Sequence, residues 1–330
     1  MSRRAGLALA VGLLALGVIL SLLIGSRYVA PATVWRLLWS PDDSFDSSLV
    51  HELRVPRTLL AMIVGVGLGL AGSLMQAITR NPLADPGILG INAGASIAIV
   101  AAVVVAGQTD IWFYLWFGFV GAALASVLVY LLSSLGGTSA SPVRLALAGV
   151  AVSAAISALT QTVLLANQQA FNEFRFWASG SLEGRTMDIV VAVAPFIGLG
   201  AVVALSLGPA LNAIALGDDT GKALGVRVVR TRILTMVAIT ALCGAATAAV
   251  GPIAFLGLAV PHLARAFTGP DQRWVMAYAV VLAPALLLFA DVLGRAAGSG
   301  DMEVPAGIVT ALVGGPLFIV IVRRRRIAAL

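Results

Sequence analysis

Residues that could do chemistry are few in this sequence and lie far apart. One cysteine, Cys243, and two histidines, His51 and His262, are too few for a Cys/His zinc cluster. Asp291 is the one carboxylate that we place in the body of a long apolar segment, and Arg295 follows four residues later. Such a charge is either functional or half of an i,i+4 ion pair, and we favour the pair. A lone acid is also a poor relay for protons or sodium.

Two glycine-rich stretches match nucleotide-binding motifs only superficially. Gly67, Gly69 and Gly72 fit the G-x-G-x-x-G pattern, but they lie inside an apolar segment with no preceding strand. The stretch from Gly217 to Ala223 is one residue short of a phosphate loop and lacks the Ser or Thr that would hold Mg²⁺. The sequence therefore predicts no nucleotide site in this chain.

The composition indicates an integral membrane protein. Hydrophobic residues make up 60% of the 330 residues and charged residues only 11%, whereas a soluble surface needs about a quarter to a third charged residues. The net charge of +6 would suit a nucleic-acid partner only if a basic face were interleaved with aromatic residues. The basic residues instead lie between apolar runs, so we expect no nucleic-acid partner.

Apolar segments of about 20 residues cross a bilayer as helices. The sequence predicts an all-α polytopic protein with about ten such helices, two of them short and broken by Gly and Pro. The long spans cover residues 5–26, 56–78, 112–134, 144–166, 187–209, 231–250, 274–294 and 304–322, and the short ones cover 88–107 and 252–268. The first apolar core is too long for a signal peptide, so we expect it to be retained.

Charge and repetition predict the arrangement of these spans. Most of the 21 basic residues, including the run Arg323–Arg326, lie on one side if both termini are cytoplasmic. That run also suits contact with anionic membrane lipid. The motif Arg54–Thr58 recurs as Arg227–Thr231, and each copy opens a long span followed by a broken one. One domain, residues 1–330, would then hold an inverted repeat with halves near 1–170 and 171–330, which is typical of transporters.

The longest predicted inner loop, residues 210–230, indicates two short amphipathic helices broken at Gly217 and Gly225. On the residues alone it is either an ordinary connection or a docking element for a cytoplasmic motor.

Several motifs together resemble the FecCD permeases, the transmembrane subunits of ATP-binding-cassette (ABC) importers for iron–siderophores, haem and cobalamin. The most specific is Asn81-Pro82-Leu83-Ala84-Asp85-Pro86-Gly87, and the likeness covers nearly the whole chain. The other matching stretches are Arg54–Thr58, Met75–Ala77, Leu216–Asp218 and Gly251–His262.

The resemblance implies partners and site residues. A second permease subunit, alike or paralogous, would complete a central path; two cytoplasmic ATPase subunits would hold ATP and Mg²⁺; and an extracytoplasmic binding protein would deliver substrate. No cofactor, metal or catalytic residue is implied for this chain.

The resemblance also assigns residues to three sites. The residues that match ATPase coupling are Leu216, Gly217, Asp218, Asp219, Ala223, Leu224 and Gly225. Those that match the cytoplasmic gate are Asn81, Pro82, Leu83, Ser141, Pro142 and Val143, and those that match binding-protein docking are Arg54, Arg57 and Arg295. Pro142 and Val143 depart from the small hydroxyl residues of some relatives.

The resemblance implies a transport subunit, rather than an enzyme, that imports an Fe(III)–siderophore across a bacterial cytoplasmic membrane. The stretch Phe176–Leu182 is similar to one in siderophore permeases. Alternatives are a haem or cobalamin permease within the family and, outside it, an ion-coupled secondary transporter or a non-transporting scaffold.

Overall fold

The structure is a computed structural model that describes residues 3–25, 27–107, 110–135, 142–298 and 302–324. Most of these residues are helical. The α-helices in chain order are α1 (Arg3–Leu23), α2 (Pro31–Trp39), α3 (Phe45–Ser48), α4 (Val55–Thr79), α5 (Ile91–Ala106), α6 (Ile111–Ser134), α7 (Pro142–Ala166), α8 (Gln168–Ala178), α9 (Met187–Ser206), α10 (Gly208–Ala215), α11 (Asp218–Ala223), α12 (Val228–Val250), α13 (Leu256–Thr268), α14 (Gln272–Ala297) and α15 (Ala306–Arg324). A π-helical segment, Leu49–Arg54, leads into α4, and a 3-10 turn, Pro86–Leu89, precedes α5.

The all-α class is confirmed for this part of the chain. Among the described residues, seven helical stretches are long and apolar enough to cross a membrane, and two shorter apolar helices, Ile91–Val105 and Ala306–Pro316, accompany them. Each predicted span lies mainly on one helix, but α5 begins at Ile91 rather than at residue 88 and α13 begins at Leu256 rather than at residue 252. The count of ten membrane crossings and the side on which the termini lie stay predictions.

The core forms around α4 and α12, because their small residues let other helices approach closely. A methyl group on Gly72 of α4 would lie 1.9 Å from the carbonyl oxygen of Gly257 in α13, and one on Gly67 would lie 3.1 Å from that of Leu242 in α12. Only glycine allows such backbone contact. The helix α4 packs against α9, α12, α13 and α14, while α5, α6 and α7 pack together beside α12.

The two long core helices both end in a backbone break. After α4, Arg80 adopts a left-handed conformation with φ +50°, and the chain turns before the 3-10 segment. After α12, Gly251 and Phe255 have φ values of +81° and +66° before α13 begins. The sequence motif that repeats at Arg54 and Arg227 opens these same two helices. The inverted repeat itself stays a prediction.

Short helices were the main omission of the sequence prediction. The helices α2 and α8, of 9 and 11 residues, lie between the long spans. They are amphipathic and too short for a hydropathy scan tuned to bilayer-crossing lengths of about 20 residues.

Candidate functional site

A buried charge network joins α4, α14 and the segment before α15. The Asp291 side chain is 1% exposed and forms ion pairs with Arg57 Nη2 at 2.8 Å and with Arg295 Nη2 at 3.0 Å. Arg57 Nη1 also lies 2.6 Å from Glu303 Oε2. The predicted i,i+4 pair of Asp291 and Arg295 is therefore confirmed, and it is part of a larger group of two arginines and two carboxylates. Buried charges persist in low dielectric only when they are paired in this way.

Two of the predicted docking arginines hold the end of α1. Arg54 donates from Nη1 to the Leu22 and Leu23 carbonyls at 2.7 and 3.0 Å, and from Nη2 to the Arg27 carbonyl at 2.6 Å. Arg295 Nη1 donates to the Ser21 and Ile24 carbonyls at 3.0 and 2.5 Å. The last carbonyls of a helix lack partners within the helix, and these guanidinium groups supply them.

All three predicted docking arginines border one pocket of about 240 Å³ at this end of the molecule. The charged side chains that line it are Arg27, Arg54, Arg57, Arg185, Arg295, Glu183 and Glu303. Positive charge exceeds negative charge in that set, so the pocket favours anionic groups. Burial lowers the pKa of the Arg185 guanidinium, although arginine stays protonated in proteins.

The predicted gate segments lie on contacting elements. The turn after α4 exposes Leu83, whose backbone N–H donates to Asn81 Oδ1 at 2.9 Å, and Pro82 allows no helix to continue. Asp85 caps the following 3-10 turn, and burial raises the pKa of its carboxyl against the effect of a hydrogen bond from the Gly87 N–H.

The second gate segment begins α7. The helix starts at Pro142 and exposes Val143, while the predicted gate residue Ser141 lies outside the described residues. Further along α7, a methyl group on Gly149 would lie 1.6 Å from the Ile88 carbonyl oxygen, so α7 packs directly on the 3-10 turn.

The predicted coupling loop forms the two short helices expected, α10 and α11. They are separated at Gly217, with φ +117°, and α11 is followed by Gly225, with φ +82°. Leu216 and Leu224 are 69% and 62% exposed. Two large apolar side chains that project from a polar loop are what a protein partner would cover.

An ionic link connects this loop to the predicted gate. Arg80, the last residue before Asn81, donates from Nη2 to the Ile214 carbonyl and to Asp218 Oδ1, both at 2.6 Å. Asp218 Oδ2 also accepts from Arg232 of α12 at 2.7 Å. The carboxylate of Asp218 therefore ties the loop to the ends of both core helices.

A second anchor holds α10 against the start of α14. Asn212 Nδ2 donates to Asp271 Oδ1 at 2.7 Å, and Asn212 Oδ1 accepts from the Gln272 N–H at 2.8 Å. Hydrogen bonds from Arg273 are the main reason why the pKa of Asp271 is lowered to about 2, and the hydrogen bond from Asn212 lowers it further. The anchor is thus charged at any physiological pH.

Several partners in these networks were not predicted from the sequence. Glu303, Ser21 and Arg80 are distant in the chain from the residues they hold. Arg232 is 14 residues from Asp218, which is also outside the spacing of neighbours on one helix face. The stretch Gly67–Gly72 lies buried within α4, where it serves helix packing. Within the described ranges, no group of three or more His, Cys, Asp or Glu side chains is placed to hold a metal ion.

Comparison with known proteins places the chain in a family of transport permease subunits. The model of the FecCD transport family matches residues 13–324, nearly the whole sequence. This chain belongs to the FecCD transport family.

Individual relatives agree with this assignment. The chain is similar to the ferric enterobactin transport system permease protein FepD of Escherichia coli (strain K12), with 46% identity over 95% of this chain and 93% of that protein. It is 38% identical to the Fe(3+)-citrate import system permease protein YfmD of Bacillus subtilis (strain 168) over 94% of this chain and 92% of that protein. A solved structure of a metal-chelate type ABC transporter in an inward-facing conformation superposes with a TM-score of 0.86 and 27% identity, covering 98% of this chain and all of that one.

Proposed function

We propose that this chain is the permease subunit of an ATP-driven importer that carries an Fe(III)–siderophore across the cytoplasmic membrane of a bacterium. The observation that carries the proposal is the family membership over residues 13–324, together with relatives whose names specify ferric chelates. The chain would be a transport subunit, and ATP and Mg²⁺ would bind to partner ATPase subunits. A second permease subunit and an extracytoplasmic binding protein would complete the assembly.

The proposed topology has about ten membrane helices in a single domain, with both termini cytoplasmic. The distribution of basic residues supports this orientation. Halves near residues 1–170 and 171–330 would form an inverted repeat, which the matched pairs α4 with α5 and α12 with α13 support. Under this orientation the coupling loop and gate turn face the cytoplasm, and the arginine pocket faces outward.

We propose that α10 and α11 receive the ATPase and pass its movement to the gate. Leu216 and Leu224 would be buried in the contact, around the break at Gly217 and next to Gly225. The exposed side chain of Asp219 and the residues from there to Ala223 would also contact the ATPase. Asp218 would transmit the movement, since it holds Arg80 beside the turn of Asn81, Pro82 and Leu83. That turn and the start of α7, Ser141–Val143, would close the path on the cytoplasmic side.

We propose that Arg54, Arg57 and Arg295 form the base of the surface on which the binding protein docks. The excess of arginine in their shared pocket supports an acidic partner. Each of the three also satisfies buried acceptors within the chain. Loss of docking must therefore be measured separately from loss of folding.

An ion-coupled carrier is disfavoured by the charge network. Asp291 is the acid that such a carrier would use within the membrane, but two arginines hold it. Both of its oxygens are engaged by those arginines, so it offers no free ligand to a coupling ion.

Reconstitution tests the proposal directly. Proteoliposomes that contain the permease and its ATPase should accumulate a ferric siderophore only when both ATP and the loaded binding protein are present. Uptake driven by an ion gradient without ATP would refute it, and so would selective uptake of haem or cobalamin.

A further inference from the structure

An apolar groove runs along the outside of the bundle between α6 and α12. Its volume is about 390 Å³, and the α6 wall includes Phe119, Ser126 and Tyr130, while the α12 wall includes Ile233, Val237 and Ala241. Val237 and Val127 at the open side are 59% and 55% exposed. The ring of Phe119 also contacts Phe196 of α9, at 4.8 Å between centroids.

The other end of the groove opens at a basic cluster. A second depression of about 560 Å³ covers the first turns of α12 and is lined by Lys222, Arg227 and Arg230, and it shares Ile233 with the groove. Among the described residues, Arg227 and Arg230 have no ion-pair or hydrogen-bond partner for their side chains, and both are exposed. The N-terminus of α12 adds a partial positive charge at the same place. The cluster therefore has unused capacity for an anion.

The dimensions of the two features match one leaflet of a bilayer. Arg230 and Ala241 are separated by about 16 Å along α12 at a rise of 1.5 Å per residue. Half of a hydrocarbon core is about 15 Å thick. Exposed Val229, Ile233 and Val237 recur at every fourth position and so form one apolar stripe that leads from the cations into the groove.

Polar groups on the α6 wall complete the site. Tyr130 lies in the groove toward the basic end, and its ring suits the boundary between headgroups and chains. The Ser126 side chain is 5% exposed, and its hydroxyl is buried with no hydrogen-bond partner in the part of the chain that the structure describes. The ester oxygens of a glycerolipid lie between phosphate and acyl chains and would accept from these hydroxyls.

We infer that this surface binds one anionic phospholipid, with its phosphate at Arg227 and Arg230 and an acyl chain in the groove between α6 and α12. The inference does not depend on the transported substrate. The orientation proposed above decides only that the lipid belongs to the cytoplasmic leaflet. A zwitterionic lipid with the same chains would fill the groove but would gain little from the arginines.

Native mass spectrometry of the full-length permease tests the headgroup site. The protein in detergent is titrated with dioleoyl phosphatidylglycerol or dioleoyl phosphatidylcholine, which carry identical chains. We expect one tightly retained phosphatidylglycerol, and a variant with Arg227→Gln and Arg230→Gln should lose roughly 20- to 30-fold in affinity, at about fivefold per arginine. A control with Arg4→Gln and Arg273→Gln removes the same charge elsewhere and should bind as the wild type does.

A second pair of variants tests the chain site. Ala123→Trp fills the groove and should weaken phosphatidylglycerol binding at least tenfold, whereas Leu124→Trp, on the neighbouring exposed face of α6, should not. Equal retention of the two lipids, or full binding by either test variant, would overturn the inference. Loss of ATPase co-purification with unchanged lipid binding in the arginine variant would instead assign the basic cluster to a protein contact, and the inference would fail.

Discussion

Asp291 illustrates how single residues stabilise this fold. Its two oxygens pair with the guanidinium groups of Arg57 and Arg295 at a largely buried position. Such a group contributes little net stability compared with apolar packing, but it is costly to break, because the remaining charges stay buried and unpaired. The same logic explains why Arg57 binds Asp291 with two nitrogens, Nε and Nη2, a geometry that lysine cannot reproduce.

We therefore predict that Arg57→Met and Asp291→Leu each destabilise the chain by about 3–5 kcal/mol. The double variant should be less destabilised than the sum of the two, because the ion pair that Arg57 and Asp291 share is lost in each single variant and would be counted twice in the sum. Thermal unfolding of the detergent-solubilised protein would measure this. Arg36→Ala, which breaks an exposed ion pair with Asp42 at 3.4 Å, is the control and should leave the midpoint unchanged. Additive effects in the double variant would contradict the coupled network.

At the scale of helices and turns, the central feature is that α10 and α11 are fixed to the membrane bundle while Leu216 and Leu224, which follow them, stay exposed. Asn212, Arg80 and Arg232 provide the attachment. A rigid loop with exposed leucines can transmit force, whereas a mobile one would absorb it.

Replacing Leu216 or Leu224 with Asp should abolish assembly with the ATPase, because an unpaired charge buried in a contact costs on the order of several kcal/mol. The permease itself should remain folded, since both side chains are exposed in the single chain. Co-purification of the ATPase measures the effect. Leu135→Asp, at the exposed end of α6, should assemble normally, and normal assembly of both test variants would remove α10 and α11 from the coupling role.

Arg80→Gln should separate assembly from coupling. It removes charge-assisted hydrogen bonds, each worth roughly 1.5–3 kcal/mol, that join the loop to the turn after α4. The ATPase should still bind, but ATP-driven uptake in proteoliposomes should fall about tenfold or more. Lys222→Gln removes the exposed pair with Asp219 in the same loop and serves as the matched control. Unchanged uptake by Arg80→Gln would show that the link is only structural.

On the scale of the whole molecule, the arrangement places a basic pocket at one end of the bundle and the coupling loop and gate turn at the other. This separation suits a subunit that receives a protein on each face and opens a path between them in turn. Small-residue contacts within the core, such as Gly72 with Gly257, join the two proposed halves at close range.

Cysteine crosslinking across the permease pair should report the state of the gate. A Leu83→Cys substitution places an exposed thiol on the turn, whereas native Cys243 is buried and can be replaced by Ala to remove background. Crosslinks between the two subunits should form in the closed state and decline when nucleotide opens the gate. A yield that is indifferent to nucleotide would identify the turn as a simple connector.

Association with the binding protein should depend strongly on ionic strength. Electrostatic steering into a basic pocket raises the association rate at low salt and is lost as salt screens the field. Arg57→Gln should slow association roughly tenfold at low salt. Thermal unfolding of the variant is measured in parallel, to show that the slower association does not come from unfolding after loss of the ion pairs of Arg57. Arg273→Gln, at the opposite end, is the control. Salt-independent association of the wild type would argue that docking relies on other contacts.

The sequence by itself determined the class of the protein and the position of its elements. Hydrophobic runs fix helices such as α4 and α12 to within a few residues, because burial of about 20 apolar residues in lipid overrides other local preferences. Glycine marks the breaks near Gly217 and Gly251, since their positive φ is cheap only for glycine. The Asp291 and Arg295 pair also followed from spacing alone.

Only the tertiary structure decided the partners of the charged residues. Arg54 and Arg57 are three positions apart, yet one caps α1 and the other binds Asp291 and Glu303. Arg80 and Asp218 are joined across much of the chain. Helical periodicity specifies which residues share a face of one helix, but ion pairs between helices depend on packing and rotation. The packing and rotation of the helices follow in turn from close contacts between small residues of different helices, which no local pattern encodes.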